Sequence, residues 1–359
     1  MKFDPNIPFE LPELPNSVNI SNNDLTDLLI SVNRELAKLE VSSTKLPNPL
    51  ILLSPTIIKE SLASSKIENI NTTLEDVLQN ELFPEHERKE QDKEVLRYRD
   101  AVLYANNELK KFPLSNRLIL GIHKILIPGS ESVYRKTQNK IENSQTKEIL
   151  YTPPPANKIQ GLISNWEKFV NSTDTKFDPV LKAVIAHYQF EAIHPFGDGN
   201  GRTGRILLLM QLIQDGILNI PILYISGYIN KNRTRYYEAL RNVTIKNDWI
   251  QYAAYMLNTI YHQALETKSL ISKIINLNGL IKDKVRNEIR KVFSTDLIDM
   301  IFSYPIITPI KLGTLLNVHY STASRYLRQL LKIGILKESK TGKYHLFINH
   351  ELMKILNKI

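Results

Sequence analysis

A short segment from His194 to Arg205 carries side chains suited to chemistry on a phosphate group. An imidazole titrates near neutrality and can accept a proton from a hydroxyl that attacks phosphorus. The glycines of the segment let successive backbone N–H groups converge into a nest for an anion, and Arg202 adds positive charge. Asp198 is better suited to hold Mg²⁺ beside a polyphosphate than to remain a free anion that repels it. The segment is therefore predicted to bind a phosphorylated ligand.

The elements on either side of this segment are predicted to be helices. Asp178 and Pro179 supply an N-cap and a first-turn proline, and the apolar residues after them recur with helical spacing. Beyond the segment, an apolar run predicts a buried helix that ends at Gly216 and presents its N-terminus to the anion. A helix before the loop excludes the dinucleotide-binding fingerprint and the P-loop of nucleoside triphosphatases, because both motifs follow a strand.

Composition limits the classes of protein to which this chain can belong. Its 359 residues, 42% of them hydrophobic, predict a soluble globular protein of two or three domains. The absence of cysteine excludes disulfides, thiolate metal sites and a thiol nucleophile. Without a membrane-length apolar run or a signal pattern, the expected location is the cytoplasm and no membrane partner is expected. The net charge of +9 suits nucleotides, nucleic acid or acidic partners, and equally a need for solubility.

The segment resembles the signature of the Fic family, His-x-Phe-x-Asp/Glu-Gly-Asn-Gly-Arg-x-x-Arg, and every fixed position is present. The resemblance implies a helical core that transfers a nucleotide monophosphate, usually AMP from ATP, to a hydroxyl side chain of a protein. It implies that His194 is the base, that Asp198 holds Mg²⁺ on the α- and β-phosphates, and that Phe196 is a buried anchor.

The same resemblance implies how the triphosphate is held. Asn200 and the nest amides would hold the α- and β-phosphates, Arg202 the β-phosphate, and Arg205 the γ-phosphate. This arrangement is reasonable electrostatically, since charge that develops on the α-phosphate and the leaving pyrophosphate must be neutralised. The nucleotide-binding residues implied in this way are Phe196, Gly197, Asp198, Gly199, Asn200, Gly201, Arg202, Thr203 and Arg205.

Upstream of the signature, the residues between Tyr134 and Tyr151 alternate loosely in polarity and lead into a run of prolines, which predicts a β-hairpin. The region from Arg135 to Pro155 resembles the flap of Fic proteins, which covers the active site and pairs with the target segment by strand addition. The resemblance implies a target protein as partner at this hairpin. A plain surface hairpin is the alternative.

Downstream of the signature, Tyr236 and Tyr237 lie in a predicted helix that resembles the wall of the adenine pocket in this family. The resemblance makes both tyrosines candidates for contact with the nucleotide. Paired tyrosines on a helix are more often one core and one surface residue, and this alternative stays open.

Near the N-terminus, Ser64 and Glu68, followed by Asn69, fit the inhibitory pattern of the family, Ser/Thr-x-x-x-Glu-Gly/Asn. The resemblance implies that Glu68 pairs with Arg205 and occupies the site of the γ-phosphate, so that ATP binds with its α-phosphate misaligned. A bidentate carboxylate–guanidinium pair has the geometry for this role. The alternative is that Glu68 merely ends a helix.

The last part of the chain has the pattern of a winged helix. Thr308 and Pro309 begin a short helix, Ser321 is expected to cap a second helix that stops at Gly334, and a two-stranded wing follows. The second helix of such folds can enter the major groove, so DNA binding through residues 308–348, weakened by salt, is one hypothesis. Dimerisation or target docking is the other and is favoured. The polar residues suited to DNA are Ser321, Thr322, Ser324, Arg325, Arg328, Gln329, Lys337, Lys340 and Lys343.

These observations together predict a mainly α-helical protein with a Fic core, a β-hairpin flap and a C-terminal winged helix-turn-helix. The predicted division is an N-terminal arm and inhibitory helical region over 1–95, the Fic core over 96–265, a connecting helical segment over 266–295, and the winged-helix module over 296–359. A homodimer is expected from the family alone.

The leading functional prediction is a protein adenylyltransferase that places AMP from ATP on a Tyr, Thr or Ser hydroxyl of a target protein or of itself, using Mg²⁺ and restrained through Glu68 and Arg205. One alternative is a DNA-binding regulator whose core senses a nucleotide, although a sensor needs neither a base nor a metal ligand. The other keeps the fold and changes the chemistry to UMP transfer, phosphorylation, phosphocholine transfer or removal of AMP. The intact Asn200 disfavours phosphorylation.

Overall fold

Helices account for most of the described chain, which agrees with the predicted mainly α class. The computed structural model describes residues 3–46, 54–130, 133–142, 146–173 and 176–358. Within these ranges, two small antiparallel sheets accompany the helices. No helix in this part of the chain is both long enough and apolar enough to cross a membrane.

The helices follow one another along the whole described chain. In chain order they are α1 (Thr26–Ser43), α2 (Ser54–Ile67), α3 (Leu74–Asn80), α4 (Glu90–Leu109), α5 (Asn116–Leu126), α6 (Ile159–Asn171), α7 (Pro179–Ile193), α8 (Asn200–Gln214), α9 (Ser226–Lys231), α10 (Arg233–Lys246), α11 (Trp249–Glu288), α12 (Thr295–Ser303), α13 (Pro309–Leu316), α14 (Tyr320–Lys332) and α15 (His350–Asn357). Single 3₁₀ turns occur at Asn22–Leu25, Glu85–Glu87, Ala156–Lys158 and Arg290–Val292. The strands are β1 (Ile141–Glu142), β2 (Ile149–Tyr151), β3 (Ile306–Ile307), β4 (Lys337–Thr341) and β5 (Tyr344–Ile348).

The chain divides into two compact units, each built from an early and a late segment. The first unit contains Met1–Ala37 and Arg97–Gln263, and the second contains Lys38–Leu96 and Ala264–Ile359. Helix α11 runs without interruption through the predicted boundary between residues 265 and 266, because its buried apolar residues continue on both sides of it. The division into four segments stays a prediction.

In the first unit, α7 and α8 lie at the centre of the core. Helix α7 begins as predicted, with the Asp178 carboxylate accepting the N–H of Val180 over 2.8 Å and Pro179 in the first turn. Helix α8 ends before Gly216, whose φ of +73° suits the predicted stop. Both helices are buried along most of their length, since α6 packs against α7 and α5 packs against α8.

The N-terminal residues of the first unit form the extended arm that their prolines predict. The side-chain amide of Asn165 makes two hydrogen bonds of 2.9 Å to the backbone of Leu14. Closer to the N-terminus, the N–H of Phe9 donates to the carbonyl of Thr152 over 2.9 Å. The arm therefore lies against α6 and against the end of β2.

Strands β1 and β2 form the predicted hairpin of the first unit, with Ile141 opposite Tyr151 and Glu142 opposite Ile149. The Tyr151 hydroxyl donates to the carbonyl of Ala192 over 2.8 Å, near the end of α7. The hairpin is therefore attached beside His194.

In the second unit, α12 to α14 and β3 to β5 form the predicted winged helix. Strand β5 lies between β3 and β4 in an antiparallel sheet, and Gly342, with a φ of +55°, makes the turn of the wing. One detail of the prediction is wrong, because the cap of α14 is His319 and not Ser321. The ring nitrogen Nδ1 of His319 accepts the N–H of Ser321 over 3.3 Å, and Ser321 already lies in the first turn.

The N-terminal helices of the second unit pack on this winged helix. Buried Lys59 of α2 donates from Nζ to the carbonyl of Leu356 in α15 over 2.9 Å. The ring of Phe83 stacks on that of Tyr344 with centroids 4.4 Å apart. The helix with the predicted inhibitory motif therefore shares one core with the C-terminal module.

The sequence Thr72-x-x-Glu75 has the pattern of a capping box, which predicts Thr72 as the N-cap of α3, but the observed cap lies one residue later. The N-cap is Thr73, whose hydroxyl oxygen accepts the N–H of Asp76 over 3.1 Å, and not Thr72. The hydroxyl of Thr72 donates to Asp92, so it is engaged elsewhere.

Candidate active site

His194 ends α7 and begins the loop that leads to α8. Its backbone is left-handed, with φ +48° and ψ +59°, a conformation that costs a residue with a Cβ roughly 1 kcal/mol. The N–H of His194 donates to the carbonyl of Phe190 over 3.1 Å and closes the last turn of the helix. The chain leaves the helix at this residue, so the imidazole stands at the start of the glycine-rich loop.

Asn200 closes this loop onto its own start. Its Oδ1 accepts the N–H of Phe196 over 2.8 Å, and its Nδ2 donates to the carbonyl of Phe196 over 2.9 Å. Asn200 is buried, so both bonds are shielded from water. The loop from 196 to 200 is therefore held in one shape, and a fixed shape lets its amides act together on an anion.

Phe196 is buried, as expected of an anchor, and it stacks on a histidine that the sequence did not single out. The rings of Phe196 and His123 are nearly parallel, with centroids 3.7 Å apart. Nε2 of His123 lies 3.1 Å from the carbonyl oxygen of Asp198 and must carry the proton there, since a carbonyl oxygen only accepts. Burial lowers the pKa of His123, so the ring is neutral at neutral pH. A lone histidine on the apolar face of α5 offers no sequence signal for this role.

Two glycines are required by the geometry of the loop and of α8. Gly199 precedes the helix with a φ of +79°, a conformation that favours glycine. At Gly204 a Cβ would overlap the carboxylate of Glu191 and press on the ring of Phe190, so glycine allows α8 to lie close to α7. The first turn of α8 thereby directs its N–H groups and the positive end of its dipole toward the loop.

Arg202 and Arg205 lie in the first turns of α8, and each is only 2% exposed. Nη2 of Arg202 lies 3.3 Å from Oδ2 of Asp198, while the Asp198 side chain is 74% exposed. The positive charge is thus largely buried and the carboxylate faces water. A polyphosphate at this helix end would be near both cations and the N-terminal amides.

The residues of the loop fit a Mg²⁺ ion that arrives with a nucleotide. Asp198 offers an exposed carboxylate oxygen, and Mg²⁺ in proteins is commonly held by one or two carboxylates together with phosphates of the substrate. Among the described residues no group of three or more His, Asp or Glu side chains is placed to form a metal cage. The donor set therefore suits a nucleotide-bound cation better than a resident one.

Three family models match the chain in succession. The Fic/DOC family N-terminal model matches residues 26–107, the Fic/DOC family model matches residues 113–212, and the SoFic-like protein adenylyltransferase C-terminal domain matches residues 277–352. Together they cover well over half of the chain, and the loop described above lies in the second match. The chain belongs to the Fic/DOC family.

Curated relatives agree with this assignment, and a solved structure shares the fold. A probable protein adenylyltransferase from Aquifex aeolicus is 28% identical over 265 residues, which are 70% of this chain and 72% of that protein. The protein adenylyltransferase Fic of Aedes aegypti is 32% identical over 151 residues, 41% of this chain but only 27% of that protein. A crystal structure of a Fic family protein from Desulfovibrio desulfuricans has a TM-score of 0.59 at 19% identity, over 90% of this chain and 95% of that one.

Two residues that the Fic signature implies for nucleotide binding have side chains engaged inside the protein. The Thr203 hydroxyl donates to the carbonyl of Gly199 over 2.8 Å, and the amide of Asn200 is bound to Phe196 at both ends. Their side chains therefore shape the loop and the first turn of α8. Gly197 and Gly201 lie in the same stretch, and contact of these residues with a nucleotide stays a prediction.

The two tyrosines of α10 lie in different environments. Tyr236 is buried, and its hydroxyl donates to Nε2 of His187 over 2.8 Å. Tyr237 is 43% exposed, and the guanidinium of Arg233 lies 5.7 Å from its ring centroid. Only Tyr237 thus presents an accessible ring. The role of either tyrosine at adenine stays a prediction.

His187 connects Tyr236 to the helix that carries the arginines. Its Nδ1 donates to the carbonyl of Gly204 over 3.2 Å, and its Nε2 accepts from Tyr236, so the ring is neutral in this tautomer. Burial, and to a smaller extent the positive charge of Arg205, lower the pKa of His187 to about 3.

This buried histidine predicts a pH dependence of stability. Between the folded pKa and an unfolded value of about 6.5, only the unfolded chain binds the proton, so the free energy of unfolding falls as the pH falls. From about pH 6 to about pH 4 the wild type should lose roughly 2.5 kcal/mol more than His187→Gln, measured by urea unfolding. The matched control is His86→Gln, at an exposed histidine. Equal losses in the wild type and His187→Gln would contradict the prediction.

The segment that fits the inhibitory pattern of the Fic family lies in the second unit, at the end of α2. Ser64 is buried in this helix, which ends at Ile67, and Glu68 follows directly. Asn69 is left-handed, with a φ of +64°, which explains physically why this position of the motif takes glycine or asparagine. The pairing of Glu68 with Arg205 stays a prediction.

Proposed function

We propose that this protein is an adenylyltransferase that transfers AMP from ATP to a Tyr, Thr or Ser hydroxyl of a target protein or of itself. One observation carries the proposal: His194 and the anion-binding end of α8 belong to a single loop whose shape Asn200 holds with two hydrogen bonds. A base and a phosphate site are thereby kept in fixed relation. The names of the relatives from Aquifex aeolicus and Aedes aegypti support the same activity.

The reaction would proceed by in-line displacement at the α-phosphorus. The hydroxyl oxygen of the target forms a bond to the α-phosphorus, and the bond from that phosphorus to the oxygen bridging to the β-phosphate breaks. The hydroxyl proton passes to His194, and pyrophosphate leaves. Arg202 and Arg205, with the first amides of α8, offset the charge on the leaving group. Asp198 would hold a Mg²⁺ ion that arrives with ATP, and that ion would supply further positive charge against the phosphates.

The hairpin of β1 and β2 is our candidate docking site for the target. An extended target segment added to this hairpin would be fixed by main-chain hydrogen bonds, with little demand on its sequence. The attachment of Tyr151 to the carbonyl of Ala192 supports this role, because it keeps the hairpin beside the end of α7.

We further propose that Glu68 restrains the enzyme by pairing with Arg205 at the site of the γ-phosphate. The left-handed Asn69 supports this assignment, since it turns the chain directly after the glutamate.

For the winged-helix module we favour docking over DNA binding. Lys343 of the wing pairs with Glu87 at 2.8 Å, and the Tyr344 hydroxyl donates to the same carboxylate over 2.9 Å. The wing is thus engaged by the N-terminal part of its own unit, which supports an internal or protein-binding role. DNA binding through 308–348 and a homodimer stay predictions.

Intact mass tests the proposed activity. The purified protein and its Glu68→Gly variant, which lacks the proposed restraint, are each incubated with Mg²⁺ and either ATP or UTP, and a gain equal to one or more AMP groups is expected with ATP alone, larger in the variant. A gain of UMP groups would replace AMP transfer by UMP transfer. If neither nucleotide adds mass, ATP labelled at the α-phosphate is offered with a lysate, and the absence of any labelled protein would contradict the proposal.

A further inference from the structure

Arg135 connects the base of the hairpin to the backbone of His194 through one buried guanidinium. Its Nε donates to the carbonyl of His194 over 3.0 Å, and its own N–H donates to the carbonyl of Pro195 over 2.9 Å. Nη1 donates to the carbonyl of Thr137 over 3.0 Å, and Nη2 to the carbonyl of Pro154 over 2.5 Å. Thr137 precedes β1 and Pro154 follows β2, so one side chain holds both ends of the hairpin and the start of the signature loop.

Two physical features indicate that this connection matters. Arg135 is only 9% exposed and its guanidinium is held by carbonyl oxygens, an arrangement that is costly unless the donors are well satisfied. The left-handed backbone of His194 is also unfavourable for a residue with a Cβ and persists only where its surroundings determine it. The two hydrogen bonds from Arg135 to the carbonyl oxygens of His194 and Pro195 act directly on this left-handed turn.

The planar fork of arginine is suited to this task. Three separate nitrogens reach three carbonyl groups in fixed directions, whereas a lysine ammonium is a single point charge that can satisfy fewer of them at once. Lys136, the next residue, is exposed, and replacing it removes a positive charge beside Arg135 while leaving the guanidinium in place.

We infer that Arg135 is a positioning residue that fixes the distance between a target hydroxyl held on the hairpin and the imidazole of His194. The inference rests on the proposed AMP transfer for its catalytic consequence, but the coupling of hairpin and loop is a property of the protein itself. A displacement of about 1 Å between reacting groups can lower a rate by roughly 100-fold, so a loose connection between hairpin and loop would slow the transfer strongly. ATP binding, which depends on α8 and its arginines, should be little affected.

The test compares the wild type with Arg135→Ala, Arg135→Lys and the control Lys136→Ala by hydrogen–deuterium exchange of the full-length protein. In Arg135→Ala, amide exchange should rise roughly tenfold in residues 137–142, in residues 149–152, and at His194 with residues 196–200, corresponding to lost charge-assisted hydrogen bonds, while α6 is unchanged. The exchange rates of Arg135→Lys in these residues should lie between those of the wild type and Arg135→Ala. The rates of Lys136→Ala should match those of the wild type. AMP transfer should fall by roughly 100-fold in kcat, with ATP affinity within a few-fold.

Unchanged exchange, or faster exchange in the hairpin without any change at 194–200, would overturn the inference. If Arg135→Ala exchanges faster everywhere because it does not fold, the same comparison is decided on Arg135→Lys. If neither the wild type nor Glu68→Gly transfers AMP, the proposed function fails, and the exchange result still decides whether Arg135 couples the hairpin to His194.

Discussion

The variant His194→Ala is expected to lose AMP transfer by roughly 1,000-fold while it keeps ATP affinity within a few-fold of the wild type, because general base catalysis contributes on the order of 10²–10⁴ in rate. The imidazole stands at the start of the loop, whereas the groups proposed to bind phosphate lie at the beginning of α8. Removing the proton acceptor should therefore lower kcat and spare binding. The measurement is the initial rate of AMP incorporation beside an ATP titration by calorimetry.

The left-handed backbone at this position makes a matched variant necessary. Alanine in this conformation adds strain of its own, whereas asparagine tolerates it. His194→Asn keeps the turn and lacks an effective base, so it should be as inactive as His194→Ala. Transfer retained by His194→Asn, or ATP binding lost in both variants, would reject the role of His194 as the base.

The variant Glu68→Gly is expected to raise AMP transfer by roughly 10- to 100-fold, the range that corresponds to one or two charge-assisted hydrogen bonds of about 1.5–3 kcal/mol. If Glu68 occupies the site of the γ-phosphate, its removal lets ATP bind with the α-phosphate in line with the attacking hydroxyl. The gain should appear mainly in kcat, since the change concerns alignment more than affinity. Initial rates of incorporation for the two proteins measure it.

Two further variants separate inhibition from a general loosening of the chain. Glu68→Gln keeps the length of the side chain but not its charge and should also activate. Glu75→Gln, at an exposed glutamate in α3, should not. In an Arg205→Ala background, Glu68→Gly should have no effect, because the proposed partner is absent. Unchanged or lower transfer in Glu68→Gly would defeat the assignment.

Local sequence patterns predicted the elements around the site well. The cap at Asp178, the stop at Gly216 and the hairpin before the prolines all occur in the structure, because each depends on residues within a few positions of one another. The two errors in capping were also local. At Thr72 and Ser321 a neighbouring residue had the better geometry, and sequence spacing alone does not resolve which of two adjacent side chains reaches a helix N–H.

The sequence did not predict that Arg135 and His123 bind the backbone of the signature loop. Arg135 lies 59 positions before His194, and His123 lies 75 positions before Asp198. An arginine at the start of a hairpin and a histidine on an apolar helix face are common in proteins without any such function. Only the path of the chain brings their donors to these particular carbonyl groups.

The sequence by itself determined the candidate reacting groups of this protein, because an imidazole, a carboxylate, glycines and arginines within one short segment must lie close together whatever the rest of the chain does. It also determined the helices on both sides, since helix signals act over a few residues. The tertiary structure alone decided how those groups are held: which rings stack on Phe196, which cation fixes the left-handed turn at His194, and where the hairpin is attached. These contacts join residues far apart in the chain, and they depend on packing of the whole unit, which no local pattern encodes.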